Sequence, residues 1–407
     1  MENSPAVTGN AGPKVRSDCE ITLEIADSGG IRIDLESKVK ILFGESIRSL
    51  ITEVLDFFEV RHARVGVKDT GALPFVIAAR TEAAVKKITE TKSEYIPVAT
   101  NGPHVPSSRN RFRFSRLYLP GNNPALMINA GLHSSDGLIL DLEDSVAPEK
   151  KDEARILVRN ALRQISFYGA ERMVRINQGD RGIDDIRTLI PHNVDLFIIP
   201  KCEEPDEVRR ISELIGSLKK DFDIQYEIHL MPVLETALGI ENAFSIAKSS
   251  PDVVAMAIGL EDYTADLGVN RTVDGYESVY ARTRLVNAAK AAGIQPIDSV
   301  FSDIDDVEAL KKNVQVSKSL GFEGMGCIHP RQIPVIRHGF APDKEEIERA
   351  KKIVIAFNEA GNMGLGVICI GSKMIDAPVV RRAERTISLA VAEGLLREDW
   401  MKSESKC

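Results

Sequence analysis

Gly137-Leu-Ile-Leu-Asp-Leu-Glu-Asp144 is a short apolar run that closes on three carboxylates, and Pro148 to Ile165 behind it carries apolar residues at helical spacing. A run too short for a helix, followed by an amphipathic helix, reads as a buried parallel strand with its crossover. The unit recurs. Leu117-Tyr-Leu-Pro precedes it, and Met173-Val-Arg-Ile-Asn, Leu196-Phe-Ile-Ile-Pro-Lys, His229-Leu-Met-Pro-Val-Leu-Glu, Val253-Val-Ala-Met-Ala-Ile-Gly, Pro296-Ile-Asp-Ser-Val-Phe and Met325-Gly-Cys-Ile-His-Pro follow it. Eight such units within residues 114–340 predict an α/β fold, a TIM (β/α)8 barrel, rather than an open doubly wound sheet. Neither GxGxxG nor GxxxxGK[ST] follows any of the runs, which removes the dinucleotide and P-loop readings.

Outward from the barrel, residues 341–407 hold two further helices, Asp343 to Glu359 and Val380 to Leu396, and predict a C-terminal helical lid. Upstream, residues 13–88 predict a small α+β domain. Glu20 to Leu35 alternates around a Ser28-Gly-Gly turn and reads as a β-hairpin, and Phe43 to Phe58 as an amphipathic helix. Ala63 to Gly71 and Phe75 to Arg80 read as strands, and Glu82 to Ile88 as a short helix. Residues 89–113, rich in Pro, Ser and Asn and without periodicity, predict a flexible linker, and residues 1–12 a mobile arm.

The 407 residues suffice for two domains, and 43% hydrophobic content with ordinary Gly and Pro is that of a globular chain. A net charge of −8 without basic blocks excludes nucleic acid as a partner. No apolar stretch approaches a membrane span and no secretory pattern opens the chain, so a cytoplasmic protein is expected. Five scattered cysteines without a CxxC pair argue against a disulfide framework and a thiolate zinc site; Cys202 and Cys327 read as small core residues.

Barrel active sites are built at the C-terminal ends of the strands. Charge recurs there: Asp141, Glu143 and Asp144; Arg175 and Asn177; Lys201; Glu235; Glu261 and Asp262; His329. Carboxylates without clustered His or Cys suit Mg²⁺, which keeps waters and accepts substrate oxygens. Glu235 and Asp262 lie on adjacent strand ends and form the natural pair. Arg175 offers a fork for a carboxylate or a developing oxyanion, which Asn177 and the Glu143/Asp144 pair would orient. Lys201 invites a Schiff-base reading, against which the metal-type carboxylates weigh. His329 reads as a base or as a cofactor contact.

Seven stretches in order carry a resemblance: Ser115-Arg-Leu-Tyr-Leu-Pro-Gly, Leu140-Asp-Leu-Glu-Asp-Ser-Val, Val174-Arg-Ile-Asn, Leu234-Glu-Thr-Ala-Leu-Gly-Ile, Gly259-Leu-Glu-Asp-Tyr, Ile328-His-Pro-Arg-Gln-Ile and Gly371-Ser-Lys-Met-Ile-Asp-Ala-Pro-Val. Residues 114–395 resemble the citrate lyase β-subunit branch of the HpcH/HpaI aldolase superfamily. The resemblance implies Mg²⁺-dependent retro-Claisen cleavage of a citryl thioester to oxaloacetate and an acetyl thioester; malyl-CoA, citramalyl-CoA or another β-hydroxyacyl-CoA is the alternative substrate, and a non-catalytic assembly subunit the alternative of another class. By the same carry-over Glu235 and Asp262 hold Mg²⁺, Arg175 contacts the thioester oxygen, and Glu143 and Asp144 support the site. Backbone amides of Gly259, Leu260 and Glu261 bind a substrate carboxylate, and His329 and Pro330 contact the CoA or carrier. Asp376 closes over a neighbouring subunit's site, which implies a homo-oligomer. The family's Arg before the first-motif Ser is Phe114 here, which leaves Arg113 or Arg116 for the carrier contact.

Residues 11–90 resemble the citrate lyase acyl carrier (γ) subunit through Arg16-Ser17-Asp18, Phe43-Gly-Glu-Ser-Ile-Arg and Asp69-Thr-Gly-Ala-Leu. That subunit carries a phosphoribosyl-dephospho-CoA arm on serine, loaded with the help of a separate citrate lyase α (transferase) subunit. Either Ser17 carries the arm, or the domain has lost it and only docks.

Overall fold

The computed structural model describes residues 4–100, 102, 104–272, 274–362, 367–371 and 373–401. The first three residues of the expected arm, linker positions 101 and 103, lid positions 363–366 and 372, and the tail with Cys407 lie outside them.

The N-terminal domain is a four-stranded sheet, β1 (Ala6–Thr8), β2 (Cys19–Ile25), β3 (Ile31–Ser37) and β4 (Ala63–Asp69), covered by α1 (Lys40–Phe57) and α2 (Pro74–Ile88). Its order β1-β2-β4-β3 corrects the sequence expectation twice. The expected hairpin partners β2 and β3 do not pair: β4 lies between them, antiparallel to β2 and parallel to β3, because α1 serves as the β3–β4 crossover. Residues 6–8 of the expected mobile arm are an edge strand in register with residues 21–23, and the Thr8 hydroxyl donates to the Arg80 carbonyl at 2.7 Å. A third correction concerns Phe75 to Arg80, which begins helix α2. Every residue from Phe75 to Val85 is buried, since α2 is sandwiched between the sheet and the barrel. A helix buried all round shows no 3.6-residue stripe and imitates a strand.

The barrel strands are β5 (Ser115–Pro120), β6 (Gly137–Asp141), β7 (Glu171–Arg175), β8 (Leu196–Ile199), β9 (His229–Leu234), β10 (Ala255–Ile258), β11 (Gln295–Ile297) and β12 (Met325–Cys327). All pair in parallel, in the order β11-β10-β9-β8-β7-β6-β5-β12. A bridge between Asp298 and Met325, with Asp298 N–H donating to the Gly324 carbonyl at 2.8 Å, closes the circle. Intervening helices are α3 (Pro124–Met127), α4 (Lys151–Gln164), α5 (Gly179–Leu189), α6 (Pro205–Asp221), α7 (Ala237–Glu241), α8 (Ala243–Ala247), α9 (Leu260–Asp266), α10 (Val279–Ala292), α11 (Val307–Leu320) and α12 (Gln332–Phe340). Ile139, Met173, Ile198, Met231, Val233 and Ile297 fill the barrel, and alternate residues such as Leu138, Leu140 and Val174 pack outward against the helices. Helices α13 (Lys344–Asn362) and α14 (Ala377–Ala392), with the hairpin β13 (Ile368–Ile370) and β14 (Lys373–Ile375), form the C-terminal appendage around a small core of their own.

The linker is not a free tether. Its backbone and side chains run across the bottom of the barrel: Arg163 Nε donates to the Pro97 carbonyl at 2.6 Å, His104 meets Asp195 at 2.8 Å, and the Ser107 hydroxyl donates to Glu171 at 2.6 Å. Arg113 is buried against Glu171 at 2.7 Å. Aperiodic composition signals the absence of repeating backbone bonds; here side chains supply the bonds instead.

The small domain is likewise fixed, by two fully buried arginines on its contact with α4. Arg80 holds Asp18 at 2.9 Å, Glu153 at 3.3 Å and the Asn122 carbonyl at 2.9 Å. Arg159 grips Glu82 with both ends of its fork, at 3.0 and 2.6 Å, and reaches the Tyr95 carbonyl at 2.9 Å. Lys87 and Lys150 also pair with Glu153. Among the described residues, no helix is long and apolar enough to cross a membrane.

Candidate active site

The strand ends converge on a cavity of about 680 Å³ at the C-terminal mouth of the barrel. Asp141, Asp144, Arg175, Glu235, Gly259 to Asp262, His329 and Pro330 all line it. Glu235 and Asp262 lie within hydrogen-bonding reach of one another, and burial together with the facing Asp262 carboxyl pushes the Glu235 pKa up to about 8. Two carboxylates pressed together at a mouth offer oxygen donors of the kind a hard cation takes. Glu235 is wedged there by close packing: a Cβ at Gly259 would stand 2.5 Å from Glu235 Oε2, so only glycine lets the strand approach. The Lys201 amide donates to Glu235 Oε1 at 3.1 Å from a backbone at φ 46°, a left-handed conformation costly for a non-glycine residue.

Arg175 is held from below by Asp141, at 2.6 and 2.7 Å, and from the side by Glu143 at 3.1 Å, with its guanidinium 5.3 Å from the Tyr118 ring centroid. Burial opposes its charge, but Asp141, Tyr118 and Glu143 outweigh that and raise its pKa. Glu143 is raised by burial and by the neighbouring Asp144, while Asp144 is lowered, because the Glu143 hydrogen bond with the Lys201 and Arg175 charges overcomes burial. The Lys201 ammonium stands among Glu143, Asp144 and Asp262 at 3.4, 3.3 and 3.5 Å.

The candidates divide as follows. Glu143, Asp144, Arg175, Glu235, Asp262, His329 and Pro330 come together. Asn177 turns away and donates to Asp185 at 2.8 Å, so it does not orient Arg175. Of the three amides expected to receive a carboxylate, Gly259 N–H already donates to the Leu234 carbonyl at 3.1 Å and Leu260 N–H to the Ser299 hydroxyl at 3.1 Å. Phe114 is core, stacked between Phe112 and Phe340, and Arg113 lies at the barrel bottom. Arg116 points into the barrel interior and is not on the rim. Asp376 caps α14 by accepting from Val379 N–H at 3.2 Å and does not line this chain's cavity. Ser17 is half-buried at φ 57°, its amide donating to the Thr70 carbonyl at 3.2 Å. Tyr118 is a site residue that the sequence reading passed over, and Asp141 and Lys201, noted there only as strand-end charges, turn out to hold Arg175 and to stand among the mouth carboxylates. Their signal was positional, since each points inward at or near a strand's C-terminal end.

Among the described residues no group of three or more His, Cys, Asp or Glu forms a ready metal cage. The facing pair fits an ion that takes few protein ligands and keeps room for water and substrate, which is the habit of Mg²⁺.

A family model described as HpcH/HpaI aldolase/citrate lyase matches residues 115–330. The citrate lyase subunit beta of Leuconostoc mesenteroides subsp. cremoris is 37% identical over 292 residues, 71% of this chain and 97% of that protein. The chain belongs to the HpcH/HpaI aldolase/citrate lyase family. Within that family it is also similar to the mitochondrial citramalyl-CoA lyase of Homo sapiens, 32% identical over 300 residues, 70% of this chain and 88% of that one. Among solved structures it matches CitE from Mycobacterium tuberculosis in complex with magnesium, acetoacetate and coenzyme A, with a TM-score of 0.57 and 29% identity over 70% of this chain and 99% of that one. Residues 6–88 match a second model, ACP, described as malonate decarboxylase delta subunit (MdcD), so this HpcH/HpaI member carries an acyl-carrier-like domain ahead of its barrel.

Proposed function

We propose that the chain is a carbon–carbon lyase that cleaves a citryl thioester to oxaloacetate and an acetyl thioester by retro-Claisen chemistry. The observation that carries this is the facing Glu235–Asp262 pair beside a preorganised Arg175 at the barrel mouth. Its support is the kinship with citrate lyase beta subunits and with a CitE complex holding magnesium, acetoacetate and coenzyme A. Glu235 and Asp262 would hold Mg²⁺, which when bound supplies a Lewis acid for the hydroxyl and carboxylate of the substrate. As a base at the mouth takes the hydroxyl proton and the Cα–Cβ bond breaks, the hydroxyl carbon becomes the oxoacid carbonyl, the electron pair of the broken bond passes to the thioester, and Arg175 meets the enolate oxygen. Asp141 and Glu143 keep that fork in place, with Asp144 and Lys201 bracing the mouth. Asp376, donated by a neighbouring copy of the chain, would protonate the enolate carbon. His329, Pro330 and the Glu261 amide would hold the rest of the thioester substrate.

Ser17 would carry the prosthetic arm, loaded by a transferase subunit, and would work from a docked domain. Arg80 ties Asp18, next to Ser17, to Asn122 in the loop that opens the cavity, which supports delivery without domain swing. Kinship with citramalyl-CoA lyases favours a second reading, in which citramalyl-CoA is the substrate and Ser17 is bare.

The test is cleavage of citryl-CoA, malyl-CoA and citramalyl-CoA with and without Mg²⁺, alongside the intact mass of the chain as expressed with its transferase. Mg²⁺-dependent oxaloacetate release is expected. Equal release from metal-stripped protein refutes the assignment of the pair, and cleavage of citramalyl-CoA alone selects the second reading.

A further inference from the structure

Four arginines are among the largest fully buried side chains: Arg80, Arg113, Arg116 and Arg159. Arg80, Arg113 and Arg159 each close on a carboxylate. Arg116 does not. It enters the barrel from β5 between two glycines, Gly137 and Gly326, its register partners on β6 and β12. A Cβ at Gly137 would stand 2.8 Å from the Met173 methyl and 3.3 Å from Arg116 Cγ, so the glycine makes the room this long side chain uses. Arg116 crosses the interior toward β9, where its Nη1 lies 3.3 Å from the Met231 sulfur, and its Nε is buried without a partner. Among the described residues it makes no ion pair. Burial lowers its pKa only to about 10, so it remains a cation at neutral pH. An unpaired guanidinium in an apolar barrel is a standing cost unless a ligand supplies the counter-charge.

The cavity reaches it. Arg116 forms part of the lining with Tyr118, Val233, Ala257 and Gly326. Three other anion receptors at this site already have partners: Arg175 has Asp141 and Glu143, and the Gly259 and Leu260 amides have Leu234 and Ser299. We infer that Arg116 is a specificity-determining residue that receives a second carboxylate of the acyl group from below, and so selects a dicarboxylic acyl group over a monocarboxylic one. This rests on the lyase reading above. A citryl group presents a free carboxymethyl arm where citramalyl has a methyl and malyl a hydrogen. A site built around a buried charge rejects the analogue that leaves the charge unpaired far more strongly than an apolar pocket rejects a missing methylene.

The experiment compares wild type with Arg116→Met and Arg116→Lys in two readouts, both with Mg²⁺ and with folding checked by circular dichroism. The first is the ratio of kcat/KM for citryl-CoA to that for citramalyl-CoA; the second is the ratio of dissociation constants for pyruvate and oxaloacetate by calorimetry. Arg116→Met is expected to lower the first ratio at least 30-fold and the second at least tenfold, with Arg116→Lys between. Ratios within twofold of wild type overturn the inference, as does a wild type that prefers citramalyl-CoA and pyruvate, which leaves the lyase reading standing. Absence of cleavage of any thioester by wild type sinks the lyase reading instead, and the calorimetric ratio then decides Arg116 by itself. Should Arg116→Met fail to fold, the lysine variant, which keeps the charge and loses the fork, still reads both ratios.

Discussion

Two clusters of buried charge sit on opposite sides of the β5–α3 loop and behave in opposite ways. Between the small domain and α4, every charge has an answer: Arg80 with Asp18 and Glu153, Arg159 with Glu82. At the barrel mouth, Glu235 faces another carboxylate and is driven toward its neutral form. Charge that joins the domains is paired sign for sign, whereas at the mouth Glu235 is pressed against a like charge and is left in want of a cation. The contrast also separates the two domains by role. A carrier that swings between partners needs a weak interface, and this one is bolted down by salt bridges that exclude water, so any arm it bears must do the reaching.

Breaking the unsatisfied cluster is expected to give the largest effect. Glu235→Gln or Asp262→Asn should lower Mg²⁺-dependent turnover by at least about 10³-fold, roughly 4 kcal/mol of transition-state stabilisation. Both variants should fold, with circular dichroism spectra like wild type. Retention of more than a tenth of wild-type turnover in either would show that the pair does not hold the metal.

The satisfied cluster should respond in stability instead. Arg159→Leu leaves the buried Glu82 with Lys86, at 3.0 Å, as its remaining cation and is expected to cost about 3 kcal/mol, read as a lower midpoint in denaturant unfolding. The double variant Arg159→Leu/Glu82→Leu removes both charges and should recover most of that loss. Equal destabilisation in single and double variants would mean that packing, not the pair, holds the domains together.

The barrel was legible in the sequence because each strand is a short apolar run followed by a helix, and the mouth was legible because charge returns at the ends of most of the runs. The small domain was harder for physical reasons. Strand order inside a sheet leaves no trace in local alternation, so β4 between β2 and β3 was invisible from Glu20 to Leu35. Helix α2 lost its stripe by being buried on all sides. Side-chain partners were the least legible of all: nothing local to Arg116 distinguishes a rim contact from a buried cation, and Asp141 looked like one more strand-end carboxylate until Arg175 folded onto it. Linker residues 97–113 had no period to read, yet tertiary bonds to Asp195, Glu171 and Asp136 fix them.

The comparison sharpens further with pH. The Glu235 pKa is raised from 4.5 to about 8, so the folded protein takes up a proton that the unfolded chain does not. In metal-free protein its contribution to stability is present below pH 4.5 and is lost as pH rises through 8. At about 1.36 kcal/mol per unit the loss is on the order of a few kcal/mol. Glu235→Gln should therefore melt higher than wild type at pH 9 without metal, and the two should converge at pH 4. Mg²⁺ should raise the wild-type melt at pH 9 and leave that of the variant nearly unmoved. A variant that melts no higher than wild type at pH 9 would place the strain elsewhere.

The smallest effect on stability belongs to Asp376, which stands outside both clusters. Its carboxylate caps α14 through Val379 N–H, and losing a cap of this kind costs about 1 kcal/mol. Asp376→Ala would thus combine a structural loss with any chemical one. Asp376→Asn separates them, because an amide oxygen still accepts from Val379 while the side chain no longer carries a proton to the substrate. If a neighbour's Asp376 serves the cavity, the asparagine variant should keep the wild-type melting temperature and lose turnover. Mixing it with Glu235→Gln should then restore part of the activity, since some pairings of subunits join an intact mouth to an intact Asp376. Turnover that survives in Asp376→Asn, with the alanine variant only about 1 kcal/mol less stable, would reduce the residue to a helix cap and leave protonation of the enolate to a group already at the mouth.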